Sequence, residues 1–331
     1  MFCSTIIPTI GRATLARTVE SVLAQSIGVG ESEIIVVNDS GQPLPVAPWQ
    51  QEPTVRIIAT LQHERSVARN TGAALAQGRY LHFLDDDDWL LPGALKSFET
   101  LAQQAKQAGW LYGASQLVDR AERPLIQLQH NLAGNAFVQA MAGEWIPLQA
   151  SLIKANTFFA VGGFNPLIAG PEDIDLLRRI ALHADLAGMP AIVACIGMGQ
   201  TNSSTDHARH AERSRWAREQ ILNAPHVFAR LRRSAASSGW HGRLVRIYLT
   251  SLLWNLQHKN FATAASRAAY AVAGLGIAGR HAFSSQFWQA LRHGYVSETF
   301  QRGLAAVQAT KTDERQPTND YAGLSSLTQQ Q

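Results

Sequence analysis

The first hundred residues alternate between short runs rich in β-branched and aromatic residues and longer segments with helical periodicity. In residues 12–26, Leu15, Val19 and Val22 recur at intervals of three and four, which is typical of an amphipathic helix. Residues 65–78 show a second helical pattern, which ends at Gly78. Turn residues bound the four short runs, as they bound strands: CSTIIPT (3–9), EIIVV (33–37), VRIIA (55–59) and YLHFL (80–84). This alternation predicts an α/β fold, with a mostly parallel central sheet flanked by helices.

The length and charge distribution of the chain indicate more than one region. With 331 residues, 46% of them hydrophobic, the chain has room for one large domain or two modest ones. We expect a first domain over residues 1–205, a helical basic C-terminal extension over 206–307 and a disordered tail over 308–331. Residues 1–204 carry 13 basic and 18 acidic side chains, whereas the remainder carries 16 and 7. The basic half could face nucleic acid or anionic lipid, or it could be an ordinary solvated helical surface.

Cysteine content and hydrophobicity predict the compartment. Cys3 and Cys195 are too few and too far apart for a disulfide framework or a zinc site, which favours a reducing environment. The apolar run after Met1 has no basic segment before it and is typical of a strand. Residues 268–279 are nearly apolar but fall short of the roughly 20 residues that cross a bilayer. We therefore expect a cytoplasmic protein, whose basic C-terminal segment either packs on the core or makes a peripheral contact with the cytoplasmic face of a membrane.

Four consecutive carboxylates, Asp85 to Asp88, follow the fourth apolar run directly. The ends of parallel strands are where α/β sheets bind ligands, so these side chains are expected at a ligand crevice. Asp87 or Asp88 could instead cap a helix that begins near Leu91, but one capping aspartate is usual and four in a row are not. Carboxylate oxygens suit Mg²⁺ or Mn²⁺, which complete their coordination with water and substrate phosphates. The sequence thus favours a metal and diphosphate site, with Asp88 left to the helix.

Other polar residues follow the first, second and third strands. Asp39 lies in NDSG, a sequence typical of a turn, but a carboxylate at a strand end can also accept a hydrogen bond from a nucleobase. Pro8 and Thr9 end the first strand, and Arg12 follows them. Arg69, in the second helical segment, could approach a diphosphate, although an ordinary ion pair explains it equally well.

A further acidic group stands at the start of PEDIDLLRRI (171–180). On a helical wheel Asp173 heads the apolar stripe of Leu176, Leu177 and Ile180, whereas Glu172 and Asp175 fall on the side expected to be solvated, with Asp175 and Arg179 as an i,i+4 pair. Asp173 is therefore either a cap or a catalytic group directed into a pocket. The positive end of the helix dipole is expected to lower its pKa and keep it ionised.

Four segments, taken in order, resemble the family 2 glycosyltransferases of GT-A fold: STIIPTIGRATLARTVESVLAQS, EIIVVNDSG, SVARNTGAALAQGRYLHFLDDDDWLLPGAL and VGGFNPLIAGPEDIDLLRR. The resemblance covers roughly residues 3–205. It implies an inverting enzyme that uses a UDP-, GDP- or dTDP-linked sugar and Mn²⁺ or Mg²⁺. The acceptor would be a carbohydrate or lipid-linked hydroxyl, in the synthesis of polysaccharide, glycolipid or cell-surface glycan.

The same resemblance implies roles for the residues singled out above. Asp39 would bind the nucleobase, and Pro8, Thr9 and Arg12 would lie beside the nucleotide. Asp85 to Asp87 would form the family's DxD element, with Asp86 near the ribose or phosphates and Asp87 on the metal. Asp173 would deprotonate the acceptor.

One departure from the family pattern lies in the loop MGQTNSSTDH, where many members have a histidine. Gln200 stands near that place, and His207, seven residues later, could take the role of that histidine. This departure concerns the metal dependence and turnover rather than the fold. A nucleotidyltransferase remains an alternative, although GVGES (28–32) precedes its strand and so has the wrong context for a phosphate loop. A non-catalytic module that binds sugar nucleotides or nucleic acid is a second alternative, and Asp87 and Asp173 argue against it.

Overall fold

A computed structural model describes residues 1–26, 28, 31–61, 64–197, 207–223, 226–232 and 238–293. It confirms the predicted α/β fold. The four apolar runs are strands and the two periodic segments between them are helices. In chain order these elements are β1 (Cys3–Thr9), α1 (Leu15–Leu23), β2 (Ser32–Asn38), β3 (Val55–Ala59), α2 (Arg65–Leu75) and β4 (Tyr80–Phe83).

The rest of the first 197 residues extends the sheet and adds helices to it. These elements are β5 (Trp89–Leu90), α3 (Ala94–Gln104), β6 (Trp110–Val118), β7 (Pro124–Leu128), α4 (Phe137–Met141), β8 (Ser151–Lys154), α5 (Ala155–Ala160), α6 (Glu172–His183) and β9 (Leu186–Gly197). Within the described residues they form one nine-stranded sheet in the order β3-β2-β1-β4-β8-β6-β9-β5, with β7 paired to β6. The first four strands are mutually parallel, as is β6 with β9, whereas β8, β7 and β5 run antiparallel to their neighbours.

Apolar side chains cover both faces of this sheet. Because successive side chains of a strand point to opposite faces, Ile6 of β1 lies in one buried cluster and Ile7 in the other. On one face α2 approaches β1 closely at Gly72, where a Cβ would lie 2.5 Å from Cγ2 of Ile6. On the other face α1 and α3 contribute Val19 and Phe98 to the core. Burial on both faces explains why these strands are continuous apolar runs.

The carboxylate run does not cap the helix that follows it. Helix α3 begins at Ala94, after Gly93 in the left-handed region with φ 78°, rather than near Leu91. Asp88 is buried, and its Oδ1 accepts a hydrogen bond of 2.8 Å from the backbone N–H of Gly197 at the end of β9. Asp88 therefore joins two segments of the fold, and the sequence-based assignment of Asp88 to the helix is wrong.

The described part of the C-terminal region consists of helices joined by short turns. Its helices are α7 (His207–Leu222), α8 (Val227–Arg232), α9 (Ser238–Gln257), α10 (Phe261–Ala278) and α11 (Ser285–His293), with a 3₁₀ turn at Gly279–Phe283. Ile221, Leu244 and Tyr248 belong to the same buried cluster as Ile6 of β1, so these helices share the core of the sheet. The predicted boundary at residue 205 and the predicted tail at 308–331 lie outside the described residues.

Two buried arginines join this region to the sheet domain. Arg178 of α6 donates to the backbone oxygens of Ala140 and Ser214, at 3.3 and 3.0 Å, and Arg218 of α7 donates to Met141 O at 2.8 Å. Burial lowers the pKa of both guanidinium groups. Since a buried cation must be hydrogen-bonded, these contacts fix α7 against α4 and α6.

Among the described residues, the segment Phe261–Phe283 alone is long and apolar enough, by length and composition, to cross a membrane. Of the 18 residues in its most apolar part, only 28% are buried inside the fold. The sequence-based estimate of residues 268–279 thus understated the length of the apolar segment.

Candidate active site

A cleft with a volume of about 520 Å³ opens at the carboxyl ends of β1, β2 and β4. The strands are parallel, and the register that pairs Thr9 with Asn38 brings their ends to one edge of the sheet. Most of the predicted site residues meet there. The cleft is lined by Pro8, Thr9, Ile10, Arg12, Asp39, Glu64, Arg65, Ala68, Asp85, Asp86, Asp87 and Ala169.

Asp39 is fixed at the β2 end of the cleft. Its Oδ1 accepts a hydrogen bond from Thr60 Oγ1 at 2.7 Å, and its Oδ2 accepts one from the backbone N–H of Glu64 at 2.5 Å. Its own N–H donates to Thr9 O at 2.8 Å. Asp39 is only 4% exposed and lines the cleft. The contacts hold its carboxylate in one orientation, as recognition of a flat, hydrogen-bonding ring requires.

Asp86 is the innermost of the carboxylates. Thr9 Oγ1 donates to its Oδ2 at 2.5 Å, and Arg12 Nη1 donates to its Oδ1 at 2.5 Å. Thr9 Oγ1 also accepts a hydrogen bond from the N–H of Gly11 at 2.9 Å. The hydroxyl thus both donates and accepts a hydrogen bond, and it ties the end of β1 to the loop after β4. With 2% of its surface exposed, Asp86 orders the floor of the cleft and positions Arg12.

Asp85 is held by Arg69 and Gln149. Arg69 Nη2 lies 2.6 Å from Oδ1, and Gln149 Nε2 lies 3.0 Å from Oδ2. Although burial opposes it, the Arg69 guanidinium lowers the pKa of Asp85 and keeps the carboxylate ionised. Arg69 is 3% exposed and is not among the residues that line the cleft. It therefore reaches the site through Asp85, and any contact it makes with a diphosphate remains a prediction.

The second partner of Arg69 belongs to α6. Glu172 Oε1 lies 3.0 Å from Nη1 of Arg69 and 3.0 Å from Nε of Arg65, and its Oε2 accepts a hydrogen bond from the N–H of Gly170. Glu172 is buried, whereas the helical wheel predicted a solvated side chain; that prediction was wrong. Asp175 is buried as well, and only its predicted pairing with Arg179, at 2.7 Å, is confirmed. These contacts connect α6 to the carboxylates after β4.

Asp87 is the least tightly held of the three carboxylates after β4 that line the cleft. Its side chain is 26% exposed and lines the cleft, and its contact with Arg12 Nη1 is long, at 3.4 Å. Arg17 anchors its backbone by donating to the carbonyl oxygen at 2.9 Å. Burial and the charge of Asp85 raise the pKa of Asp87, so its ionised form is electrostatically strained where it stands. A cation in the cleft would relieve that strain.

The donor set fits a hard divalent cation. No group of three or more histidine, cysteine, aspartate or glutamate side chains in the described part of the chain could hold a metal alone. Mg²⁺ and Mn²⁺ ordinarily take one or two protein carboxylates and fill the other positions with water and substrate phosphates. Asp87, with Asp85 beside it, supplies that number of oxygen ligands. A metal here would accordingly depend on the nucleotide for part of its coordination.

Asp173 stands in the first turn of α6, as predicted, but its electrostatics differ from the prediction. Its Oδ2 accepts a hydrogen bond of 2.6 Å from Trp145 Nε1, and its Oδ1 accepts one of 2.7 Å from the N–H of Ile174. Burial raises its pKa despite these two hydrogen bonds, so the lowering expected from the helix dipole is wrong. A carboxylate with a raised pKa is a better proton acceptor. Asp173 does not line the cleft itself; Glu172 and Arg69 link it to Asp85.

Sequence reasoning missed several residues of the site. Trp145 and Gln149 lie in residues 110–170, where no motif marks them. The sequence indicates Arg65 and Glu172 only weakly, through their positions: Arg65 stands four residues before Arg69, and Glu172 stands next to Asp173. The proposed loop residue Gln200 lies outside the described residues, and of His207 only the backbone, at the start of α7, is described.

The described fold, with its carboxylate-lined cleft at the carboxyl edge of the sheet, is of GT-A type. The family model described as glycosyl transferase family 2 matches residues 4–149, which is less than half of the chain. In the crystal structure of S. aureus TarS 1-349 in complex with UDP-GlcNAc, the fold is similar with a TM-score of 0.60 at 13% identity, over 81% of this chain and 90% of that chain.

Two curated relatives carry the same kind of name. An uncharacterized glycosyltransferase of Haemophilus influenzae is 25% identical over 189 residues, which cover 54% of this chain and 61% of the relative. The poly(ribitol-phosphate) beta-N-acetylglucosaminyltransferase TarP of Staphylococcus aureus is 35% identical over 100 residues, which cover 28% of this chain and 30% of TarP. The chain thus aligns with less than two thirds of the length of either relative.

Proposed function

We propose that this protein is an inverting glycosyltransferase, which moves a sugar from a nucleoside-diphosphate donor to a hydroxyl acceptor. The observation that carries the proposal is the convergence of Asp39, Asp86 and Asp87 on one cleft at the carboxyl edge of the sheet. The match to the glycosyl transferase family 2 model over residues 4–149 and the TarS-like fold support it. Since TarS was crystallised with UDP-GlcNAc, a UDP-linked sugar is the first donor to examine, before GDP- and dTDP-linked sugars.

Each part of the donor has a group that suits it. Asp39, fixed by Thr60 and Glu64, accepts a hydrogen bond from a ring N–H of the base. Arg12 at the cleft mouth, 29% exposed, attracts the diphosphate while Asp86 holds its guanidinium. Asp87 would hold Mn²⁺ or Mg²⁺, with Asp85 beside it. When bound, the cation neutralises the charge that develops on the departing diphosphate.

Asp173 is the proposed general base. It takes the proton of the acceptor hydroxyl as that oxygen bonds to the anomeric carbon and the bond from that carbon to the diphosphate oxygen breaks. One displacement on the face opposite the leaving group inverts the configuration and needs no nucleophile from the protein, by analogy with inverting hydrolases. Its raised pKa strengthens Asp173 for this step, and Trp145 fixes its orientation.

The acceptor class and compartment extend the proposal. TarP is named for transfer to poly(ribitol-phosphate), so a cell-surface polymer or a lipid-linked precursor is the acceptor class proposed for this chain. Both cysteines, Cys3 and Cys195, are free and buried, which is compatible with the cytoplasm, where we place the reaction.

The first test measures donor binding. Calorimetry with UDP, GDP and dTDP, with and without Mn²⁺, should show one nucleotide whose binding requires the metal, and a panel of sugars on that nucleotide should then show metal-dependent hydrolysis or transfer. A nucleotidyltransferase would instead release pyrophosphate from a nucleoside triphosphate. A nucleic-acid-binding module would bind RNA with a steep salt dependence. Either result would replace the proposal.

The second test separates catalysis from binding. Asp173→Asn should keep the affinity for the nucleotide and abolish transfer, because the amide cannot accept the proton. Asp185→Asn is the matched control, since Asp185 is a half-exposed partner of Arg230 outside the cleft and should leave both properties unchanged. NMR of the product should show an inverted anomeric configuration. Transfer retained by Asp173→Asn would remove Asp173 from the base role.

A further inference from the structure

Large apolar side chains are exposed at unusual density near the end of the described chain. Eight of them lie between residues 253 and 288, as many as in the whole of residues 1–197. We call this set the C-terminal apolar surface: Leu253, Trp254, Leu256, Phe261, Val272, Leu275, Phe283 and Trp288. Isolated apolar residues on a surface need no explanation, but a concentration of this kind marks an interaction site.

Helix α10 presents two different faces. Its inner stripe, Ala264, Arg267, Ala271, Gly274 and Ala278, is buried. Arg267 pairs with Glu219 of α7 and donates to Ser251 Oγ of α9 at 3.1 Å. The remaining side of α10 carries no charged residue, because Arg267 is the only charge between residues 261 and 279. A helix face that meets water ordinarily carries charges, and this face has none over about 27 Å.

Lipid is the partner that suits this surface best. Exposed cationic or titratable side chains stand at both ends of α10: His258 and Lys259 before it, and Arg280 after it. Exposed aromatic side chains flank it in the same way, with Trp254 and Phe261 at the start and Phe283 and Trp288 beyond the end. An uncharged face suits the apolar part of a bilayer, and the aromatic and basic residues at its ends suit the interface and the headgroups of anionic lipids.

The contacts of α10 determine how it can meet a membrane. A spanning helix would have to leave α9 and carry Arg267 into hydrocarbon, away from Glu219 and Ser251. A helix that lies flat keeps these inner contacts and immerses only its outer face. We propose that the C-terminal apolar surface docks the protein on an anionic phospholipid bilayer as a surface-bound, non-spanning element. This proposal does not depend on the sugar-transfer reaction.

Sedimentation of the full-length protein with vesicles tests the proposal. We expect binding to phosphatidylcholine vesicles that contain phosphatidylserine, and weaker binding without it. Val272→Glu places a carboxylate on the outer face, where Val272 is 68% exposed, and should lower the partition coefficient about tenfold or more. Val46→Glu, at a position 94% exposed outside the cleft, is the matched control and should bind as the wild type does.

Folding and self-association need separate measurements. Circular dichroism and the thermal midpoint should be unchanged in both variants, because both positions are exposed. Absence of binding to either vesicle, or equal binding by wild type and Val272→Glu, overturns the proposal. A dimer in light scattering that Val272→Glu converts to a monomer also overturns it, because a second copy of the chain would then cover the surface. Extraction by alkaline carbonate without detergent supports surface docking, and resistance to it contradicts the flat arrangement.

Discussion

Trp145→Phe tests how the proposed base is tuned. The substitution removes the indole N–H, which lies 2.6 Å from Asp173 Oδ2, and keeps an aromatic ring against the small apolar cluster that contains Leu117 and Ile196. Burial raises the pKa of Asp173, and the hydrogen bond from Trp145 opposes that rise. Because the N–H stabilises the ionised carboxylate, its loss raises the pKa of Asp173 further.

The size of the effect follows from the kind of hydrogen bond that is lost. A hydrogen bond to a charged group contributes about 1.5–3 kcal/mol. Since 1.36 kcal/mol is a factor of ten, the ratio of ionised to protonated base falls roughly ten- to 150-fold. Asp173 is only partly buried, so we expect the lower end of that range. On the acidic side of the profile, where the rate follows the ionised fraction, kcat/KM should fall about tenfold.

The measurement is kcat/KM against pH for the wild type and Trp145→Phe. The acidic limb of the variant should move to higher pH, and its activity should return to the wild-type plateau once the pH exceeds the new pKa. Trp49→Phe is the control, since Trp49 is buried and its Nε1 has no hydrogen-bond partner among the described residues. A deficit of the same size at every pH, or an acidic limb that stays in place, would refute the reasoning.

Three further substitutions test the carboxylate site. For Asp87→Asn we expect weaker Mn²⁺-dependent binding of UDP in calorimetry. We also expect a higher thermal midpoint at neutral pH, because an acid with a raised folded-state pKa loses stability as the pH rises through that pKa; a lower midpoint would contradict this. Arg69→Met leaves buried Glu172 without one of its two cationic partners and should lower the free energy of unfolding in urea by about 3–5 kcal/mol. An unchanged urea midpoint would show that Arg65 alone is enough to stabilise Glu172. Thr9→Val removes the hydroxyl that donates to Asp86 and should lower the free energy of unfolding by about 1–3 kcal/mol in the same measurement. An unchanged free energy of unfolding would contradict this and would show that water replaces the hydroxyl.

The sheet and its ligand edge could be predicted because their signals are local. The strands β1 to β4 are short apolar runs between turn residues, and parallel order alone brings Thr9, Asp39 and Asp87 to one edge. Such reasoning needs only the period of each segment and the rule that ligands bind at the carboxyl ends of parallel strands.

The two acidic residues at the start of α6 show what local sequence patterns cannot predict. A helical wheel takes account only of the helix itself, so it left Glu172 on the solvated side, although Arg65 and Arg69 of α2 cover it. The dipole argument for Asp173 failed for the same reason, since burial beside Trp145 outweighs the field of one helix turn. Both errors come from residues distant in the sequence, which no periodicity reports.

The contacts of Arg178 and Arg218 bear on how the chain can be divided. The two guanidinium groups donate to the backbone carbonyls of Ala140, Met141 and Ser214. Residues on both sides of position 205 therefore belong to one hydrogen-bond network. A fragment cut there would keep Arg178 but lose Ser214, and it would expose the apolar cluster that Tyr248 closes. A chimaera that exchanges the segment around α4 therefore has to exchange α7 and α9 with it. For recombination as for expression, the folded unit is longer than the stretch that carries the sequence motifs.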